Sequence, residues 1–304
     1  NITGSATLDL DGGAGDDIFD FVAAGSLTGE IDGQAGDDTL SYAAFGSAVT
    51  LDMENLAATG LDSFTGIETV TGSPEDDTIQ GRATGSYFQI TAPAAGVVDS
   101  LNFNSFERLL GGAGADTLDY SLYPTAITAN LQSQSATGLS FFDAVEDLIG
   151  SPGSDTLIGA DAGSNFSVTA PDAGTVDTLN FTAIENLTGG LGADTFAFQG
   201  AALSGNVNGG TGIDLLDYSA RGAAVIVNLL AQTAADIGGK VRNVEDIAGT
   251  PVDDILTGDN GPNVITGNGG VDEITGLGGA GTFVVQNPSA LHVTGGSGAD
   301  PLGL

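Results

Sequence analysis

"GGAGADTLDY", residues 111–120, sets two adjacent glycines, a third two residues on, one aspartate and then an alternating apolar run. Its frame, Gly-x-x-x-x-Asp-x-apolar, also begins at Gly12, Gly33, Gly72, Gly150, Gly189, Gly209, Gly249, Gly267 and Gly295. A phrase rewritten at fixed intervals marks a repeat architecture, in which each unit buries its apolar face only against its neighbours. From Gly33 to Gly189 the phrase keeps a strict 39-residue period, and a double unit recurs at 78: "GSPEDDTIQGRATGSYFQITAP" at 72–93 against "GSPGSDTLIGADAGSNFSVTAP" at 150–171. Shorter steps, from Gly12 to Gly33, Gly189 to Gly209 and Gly249 to Gly267, put one coil at about half that period. The 39-residue period then reads as two coils, the second with a degenerate turn such as "AGVVDSLNF" (95–103) or "AGTVDTLNF" (173–181).

Such a period suits an all-β parallel β-solenoid, or β-roll, of about fifteen coils of roughly 18–21 residues, each stacking its strands ~4.8 Å from the next. Residues 1–304 are expected to form a single domain: a partial coil over 1–11, coils paired in the 39-residue period over 12–248, a tandem roll over 249–284 and a terminal coil over 285–304. Two residues after the motif aspartate stand Phe19, Leu40, Ile79, Leu118, Leu157, Phe196, Leu216, Leu256, Ile274 and Leu302. Two further on come Phe21, Tyr42, Tyr120, Phe198 and Tyr218. Period-2 alternation sends both columns inward as core, whereas Asp20, Asp119 and Asp217 are expected to face water.

The 40 acidic residues against 5 basic ones give a formal net charge of -35, so the folded chain must manage strong self-repulsion. Nucleic acid and membrane insertion are excluded as partners: Arg82, Arg108, Arg221, Arg242 and Lys240 form no basic patch, and no apolar run approaches ~18 residues. Acidity with few aromatics can mean disorder, but 41% of the residues are hydrophobic and recur at fixed places. There is no cysteine, which removes disulfides and thiolate metal sites and favours calcium over zinc as counter-charge. The chain opens "NITGSATLDL", without initiator Met or signal peptide, and is read as part of a longer repeat protein.

The motif glycines permit positive φ, so the chain turns sharply with carbonyls pointing into the bend beside a carboxylate. Such hard oxygen donors suit Ca²⁺, which takes six to eight of them in a flexible loop. At these residues the sequence resembles the RTX (repeats-in-toxin) family, whose nonapeptide Gly-Gly-x-Gly-x-Asp-x-apolar-x winds a calcium-loaded β-roll. Residues 12–20 (GGAGDDIFD), 111–119, 189–197, 209–217 and 295–303 fit that phrase, and 249–257, 258–266, 267–275 and 276–284 follow one another without a gap.

The resemblance implies calcium between the turns of successive coils, held by carbonyls and the sixth-position aspartate. It pairs Asp17 with Asp38, Asp194 with Asp214 and Asp254 with Asp272, and it also assigns Gly12, Gly33, Gly111, Gly189, Gly209 and Gly267 to the metal-binding turns. Asp77, Asp116 and Asp155 face degenerate neighbours, where Asp99 or Asp177 would complete a site; Asp300 has no partner after it, and Asn263 replaces the aspartate in one tandem repeat. Glu68, Glu107, Glu146, Glu185 and Glu245 each stand four residues before a motif glycine, either accepting corner hydrogen bonds or adding a carboxylate to calcium.

One histidine, His292, and no cysteine give no Ser-His or Cys-His arrangement, so the chain is not read as an enzyme. The reading is a calcium-stabilised extracellular structural or adhesive rod, secreted and cell-surface associated, folding on calcium binding after export. Its expected partners are calcium ions, further copies joined end to end into filaments, and a cell surface or polysaccharide. The alternative is the repeat domain of a secreted protease, lipase or epimerase, aiding its export and folding. Ice binding would need an unbroken Thr file, and Thr50 and Thr128 give way to Ile226.

Overall fold

The computed structural model describes residues 1–279, 281–284, 292–295 and 302–303. These residues form β-strands and turns with no helix, and the strands stack largely in parallel, as the repeat predicts. They separate into two compact units, residues 1–129 with 133–153, and residues 130–132 with the described part of 154–304. Asp300 and most of the terminal coil expected over 285–304 lie outside the described residues.

In the first unit the chain alternates between two sheets. One stacks Ile18–Ala23, Thr39–Phe45, Thr69–Thr71 and Leu101–Asn104 in parallel, with Ile18 opposite Thr39, Thr39 opposite Thr69, and Asn102 opposite Thr69. The other stacks Thr50–Asp52, Thr78–Gln80, Arg108–Leu110 and Phe141–Asp143. The second unit repeats the arrangement: Asn165–Ala170, Thr195–Phe198, Leu215–Asp217, Asp246–Ala248, Val264–Thr266 and Thr282–Val284 run parallel in one sheet. Ile226–Asn228, Ile255–Thr257, Glu273–Thr275 and His292–Thr294 stack in another.

The uniform coil length expected from the sequence needs correction. The short step appears in the register at Ile18 to Thr39, Thr195 to Leu215 and Val264 to Thr282, but Thr39 to Thr69 and Thr69 to Asn102 are markedly longer. Fifteen coils do not fit into 304 residues at these lengths. The 39-residue period is instead one three-stranded antiparallel meander flanked by two single strands of the other sheet. Tyr87–Ala92, Ala95–Val98 and Leu101–Asn104 make one meander, and Asn165–Ala170, Ala173–Val176 and Leu179–Thr182 its equivalent one double unit later. Between Thr39 and Thr69 the meander lies in the second sheet, built by Thr50–Asp52, Ala57–Ala58 and Leu61–Thr65. Switching sheets at each step of the period is why the full repeat is twice as long.

The supposed degenerate turns at 95–103 and 173–181 are therefore meander strands. Left-handed residues reverse the chain there: Ala94 (φ 52°) and Asp99 (φ 53°) in one, Asp172 and Asp177 (both φ 50°) in the other. Over 249–284 the short coils remain, with Ile255 opposite Glu273 and Val264 opposite Thr282, each pair two nonapeptides apart.

Both apolar columns form the core. Leu40, Ile79, Leu118, Leu157, Phe196, Leu216, Leu256 and Ile274 are fully buried, as are Phe21, Tyr42, Tyr120, Phe198 and Tyr218. Phe21 stacks on Tyr42 at 4.8 Å between ring centroids, and Phe198 on Tyr218 at 5.6 Å. Phe19 is half-buried, and Leu302 has no described side chain. Asp119, expected in water, is buried, and it accepts from Tyr87 Oη, Gln89 Nε2 and the Ser121 amide and hydroxyl.

The tyrosines differ in one respect. Tyr120 donates its hydroxyl to Thr137 O at 3.0 Å and Tyr218 to Ala235 O, whereas the buried Tyr42 hydroxyl has no partner. A buried unpaired hydroxyl costs about 1–3 kcal/mol and a made bond contributes about 1 kcal/mol. Tyr42→Phe should therefore leave stability unchanged or raise it, and Tyr218→Phe should lower it by about 1 kcal/mol, both read from urea unfolding. Equal losses in the two variants would contradict this.

Candidate metal centre

The motif places its aspartate in the residue before a strand, with the carboxyl turned back over the motif glycine. Asp38, Asp77, Asp116, Asp155, Asp194, Asp214, Asp254 and Asp272 are all buried, at 0–4% exposure, although no Lys or Arg lies in these turns. Backbone amides supply what holds them. Oδ1 accepts the N–H that precedes a neighbouring strand: Asp17 N to Asp38 at 2.8 Å, Val49 N to Asp77 at 2.6 Å, and Ser86 N to Asp116 at 2.6 Å. The second unit matches, with Ser164 N to Asp194 at 2.6 Å, Asp194 N to Asp214 at 2.8 Å, Val225 N to Asp254 at 2.8 Å, and Asp254 N to Asp272 at 3.0 Å. The three pairs expected from the motif are thus stacked by one contact each, from the amide of the first aspartate to the carboxylate of the second.

The glutamate ladder plays the same part. Glu68, Glu107, Glu146, Glu185 and Glu245 accept through Oε2 the amides of Asp38, Asp77, Asp116, Asp155 and Asp214, at 2.7–3.0 Å. Of the two roles open in the sequence, the corner hydrogen bond is the one observed. Two residues earlier the backbone is left-handed, at Gly66, Ser105, Ala144, Ala183 and Asn243.

The second carboxylate oxygen divides the turns into two kinds. At Asp77, Asp116, Asp194 and Asp254, Oδ2 accepts the amide of the residue after the motif glycine: Ser73, Gly112, Gly190 and Thr250. Asn263 copies this, accepting the Asp259 amide at 2.9 Å while its Nδ2 donates to Glu245 O at 2.8 Å. At Asp17, Asp38, Asp214 and Asp272 the residue after the motif glycine is left-handed instead, with φ of 103° at Gly13, 71° at Gln34, 101° at Gly210 and 67° at Asn268. At Gln34 the amide goes to Asp32 Oδ1 at 3.0 Å. Among the described residues, Asp38 Oδ2 and Asp214 Oδ2 are the carboxylate oxygens that are buried without a partner.

Asp99 and Asp177 sit apart from this pattern, at the second turn of each meander. Asp99 accepts from Tyr87 N at 2.9 Å and pairs with Arg82 at 3.2 Å, and Asp177 accepts from Asn165 N at 3.1 Å. Asp99 touches the motif series only through Ser86, whose hydroxyl donates to Asp99 while its amide donates to Asp116. Among the motif glycines, Gly33 O approaches Gly12 and Gly209 O approaches Gly189. Gly111 packs against Ala144 O and Gly267 against Asp272 Oδ2.

Among the described residues no three His, Cys, Asp or Glu side chains converge on a metal position. What does lie together is one carboxylate oxygen and one backbone carbonyl of the next layer, Asp38 Oδ2 with Gly66 O and Asp214 Oδ2 with Asn243 O, oxygen donors of the kind that calcium accepts. The unpartnered, enclosed oxygens of Asp38 and Asp214 are the places where the residues fit such an ion.

Burial raises the carboxyl pKa of Asp77, Glu107, Glu185, Asp246 and Asp272. It pushes Asp214 up to about 6, helped by Asp194, Glu245 and Asp246 and opposed by the Asp194 amide. A carboxyl with a raised folded-state pKa binds its proton more tightly in the native state, so its contribution is complete below the unfolded value near ~4 and is lost as pH rises through the folded one. The metal-stripped protein should therefore melt at a higher temperature at pH 5 than at pH 7 when followed by circular dichroism. A lower midpoint at pH 5 would contradict it.

The RTX calcium-binding nonapeptide repeat matches the chain in four copies, over residues 62–83, 104–120 and 249–283. These segments contain Glu68 and Asp77, Glu107 and Asp116, and Asp254, Asn263 and Asp272. Repeats of this kind bind multiple calcium ions. No curated protein matches the chain.

Proposed function

We propose that this chain, which carries the repeats of the RTX calcium-binding family, is a calcium-stabilised extracellular structural or adhesive segment that reaches its stable form on meeting calcium outside the cell. RTX repeats are typical of secreted proteins, and calcium-dependent folding follows from them. The observation that carries the reading is the buried carboxylates of each unit, Asp38, Asp77 and Asp116 in the first and Asp155, Asp194, Asp214, Asp254 and Asp272 in the second, in a chain of 40 acids and 5 bases. The ion pairs found among the described residues, Arg82 with Asp99 and Arg221 with Asp236, do not involve these carboxylates.

Calcium bound to the folded state alone stabilises it by mass action and relieves the repulsion between layers. A structural role is supported by repeats that run from Gly12 to Gly295, and by the absence of a Cys and of any His but His292. The test is metal removal followed by an assembly check on the same sample. Loss of β-structure in excess EGTA supports calcium-coupled folding, and calcium-dependent filaments in negative-stain micrographs support the structural role. An unchanged circular dichroism spectrum in EGTA overturns the first, and isolated particles at millimolar calcium overturn the filament form of the second.

A further inference from the structure

Glycine follows asparagine at three places, Asn208-Gly209, Asn260-Gly261 and Asn268-Gly269, all in the second unit. A glycine has no side chain to obstruct its own nitrogen, so that nitrogen can close on the carboxamide carbon of the asparagine before it. Closure needs a carboxamide free to turn toward the backbone and an acceptor for the proton of the attacking amide. The three pairs differ in both respects.

At Asn208 and Asn268 neither condition is met. Asn208 ends the strand Val207–Asn208; its Oδ1 accepts Asn243 Nδ2 at 2.8 Å, and the Gly209 amide donates to Arg242 O at 2.9 Å. Asn268 donates its Nδ2 to Gly249 O at 2.7 Å, and the Gly269 amide goes to Thr250 O at 3.3 Å. Both carboxamides are tied, and each amide faces a peptide carbonyl, which accepts a hydrogen bond without taking the proton.

Asn260 is built otherwise. It is exposed in the bend between Ile255–Thr257 and Val264–Thr266, and among the described residues no hydrogen bond ties its carboxamide. The Gly261 amide donates to Asp259 Oδ1 at 2.7 Å, within the reach that a general base needs. Asn263 fixes that carboxylate from the other side, its Nδ2 reaching Asp259 Oδ1 at 3.2 Å while its Oδ1 accepts the Asp259 amide at 2.9 Å. A carboxylate held on the amide proton of an exposed Asn-Gly pair is what the other two pairs lack.

We propose that Asn260 is a self-modification site, at which Asp259 serves as general base for deamidation. Gly261 N bonds to Asn260 Cγ as its proton passes to Asp259 Oδ1. The Cγ–Nδ2 bond then breaks, and the nitrogen leaves as ammonia, carrying that proton away. Water opens the resulting succinimide at either carbonyl, giving aspartate or, with the main chain routed through the side chain, isoaspartate. The isoaspartate form adds a backbone atom to a bend that already touches the next layer, where a methyl on Gly279 would collide with Gly261 O. Conversion therefore loosens the tandem repeats, and it does so whether or not they hold calcium.

The test ages the full chain at neutral pH, folded in calcium and unfolded in guanidinium chloride, and follows the amide-to-acid mass increment at each asparagine by peptide mapping. Unfolded, the three should convert at comparable rates. Folded, Asn260 should lead Asn208 and Asn268 by at least about tenfold. Asp259→Ser, which keeps an oxygen in the turn, should slow folded Asn260 by at least about tenfold and change it little when unfolded. Circular dichroism establishes that the variant is folded; should it not fold, the three-site comparison in wild type stands as the measurement. Equal rates at the three folded sites, or an Asn260 slower than either of the others, overturns the proposal. An unchanged folded rate in Asp259→Ser, or an equal slowing in the unfolded chain, overturns the role of Asp259.

Discussion

Transferring the calcium-loaded chain into excess EGTA should lower its thermal midpoint by about 5–10 °C. A site saturated at about 100 times its dissociation constant contributes ~2.7 kcal/mol to the unit that holds it. In domains of about 150–250 residues, 1 kcal/mol corresponds to about 2–4 °C. The acid-rich composition acts in the same direction, since stripping the ions leaves a charge of -35 to repel itself. Added salt should recover part of the loss by screening, because the Debye length falls from about 10 Å at 0.1 M to about 3 Å at 1 M. A differential scan in calcium, in EGTA, and in EGTA with molar NaCl checks both parts. Coincident melting curves in calcium and EGTA would remove calcium from the account of stability.

Asp116→Ala should cost about 3–5 kcal/mol, and should cost it equally with and without calcium. The Asp116 carboxylate is buried and accepts Gly112 N at 2.8 Å and Ser86 N at 2.6 Å. Truncation leaves two buried amides unmatched, at ~1–3 kcal/mol each, and a void where the carboxyl stood. Its own amide still donates to Glu146, so the defect is confined to one corner. Urea unfolding in calcium and in EGTA measures both values. A loss that disappears in EGTA would mean that Asp116 acts through a bound ion and not as a cap.

The core was legible because side-chain alternation survives any strand direction. Leu40, Leu118 and Phe196 fall inward in a parallel stack or an antiparallel one, and for that reason the same pattern hid the meanders. The long period lies so close to twice the short coil that arithmetic favoured two coils, whereas the chain makes five strands in the span from Gly72 to Leu110. The signals that reveal the difference are local: Pro93-Ala94 and Asp99-Ser100 bracket Ala95–Val98, and left-handed residues stand at Ala94, Asp99 and Ser100. Asp99 then read as a ligand because it stands in a G-x-x-D phrase, although in the fold it faces Arg82.

At the site, the spacing of Glu68, Glu107, Glu146, Glu185 and Glu245 was enough to find the ladder, since a residue fixed relative to each turn occupies a fixed corner. The distinction between the two kinds of turn was not legible. Gly190 and Gly210 follow motif glycines in nearly identical phrases, yet Gly210 has φ 101° and Gly190 caps Asp194. Glycine accepts either hand at similar cost, so the sequence leaves the choice to the packing of the layer beside it.

The corner bonds have a polarity. Where an amide reaches a motif aspartate of the adjoining layer, or a ladder glutamate, the donor precedes the acceptor along the chain: Asp17 to Asp38, Ser86 to Asp116, Asp155 to Glu185 and Asp254 to Asp272. A segment arriving amino-end first therefore waits, with those amides facing water, until the next segment brings the acid that closes it. A chain cut between layers would therefore leave unmet amide donors on its shortened end.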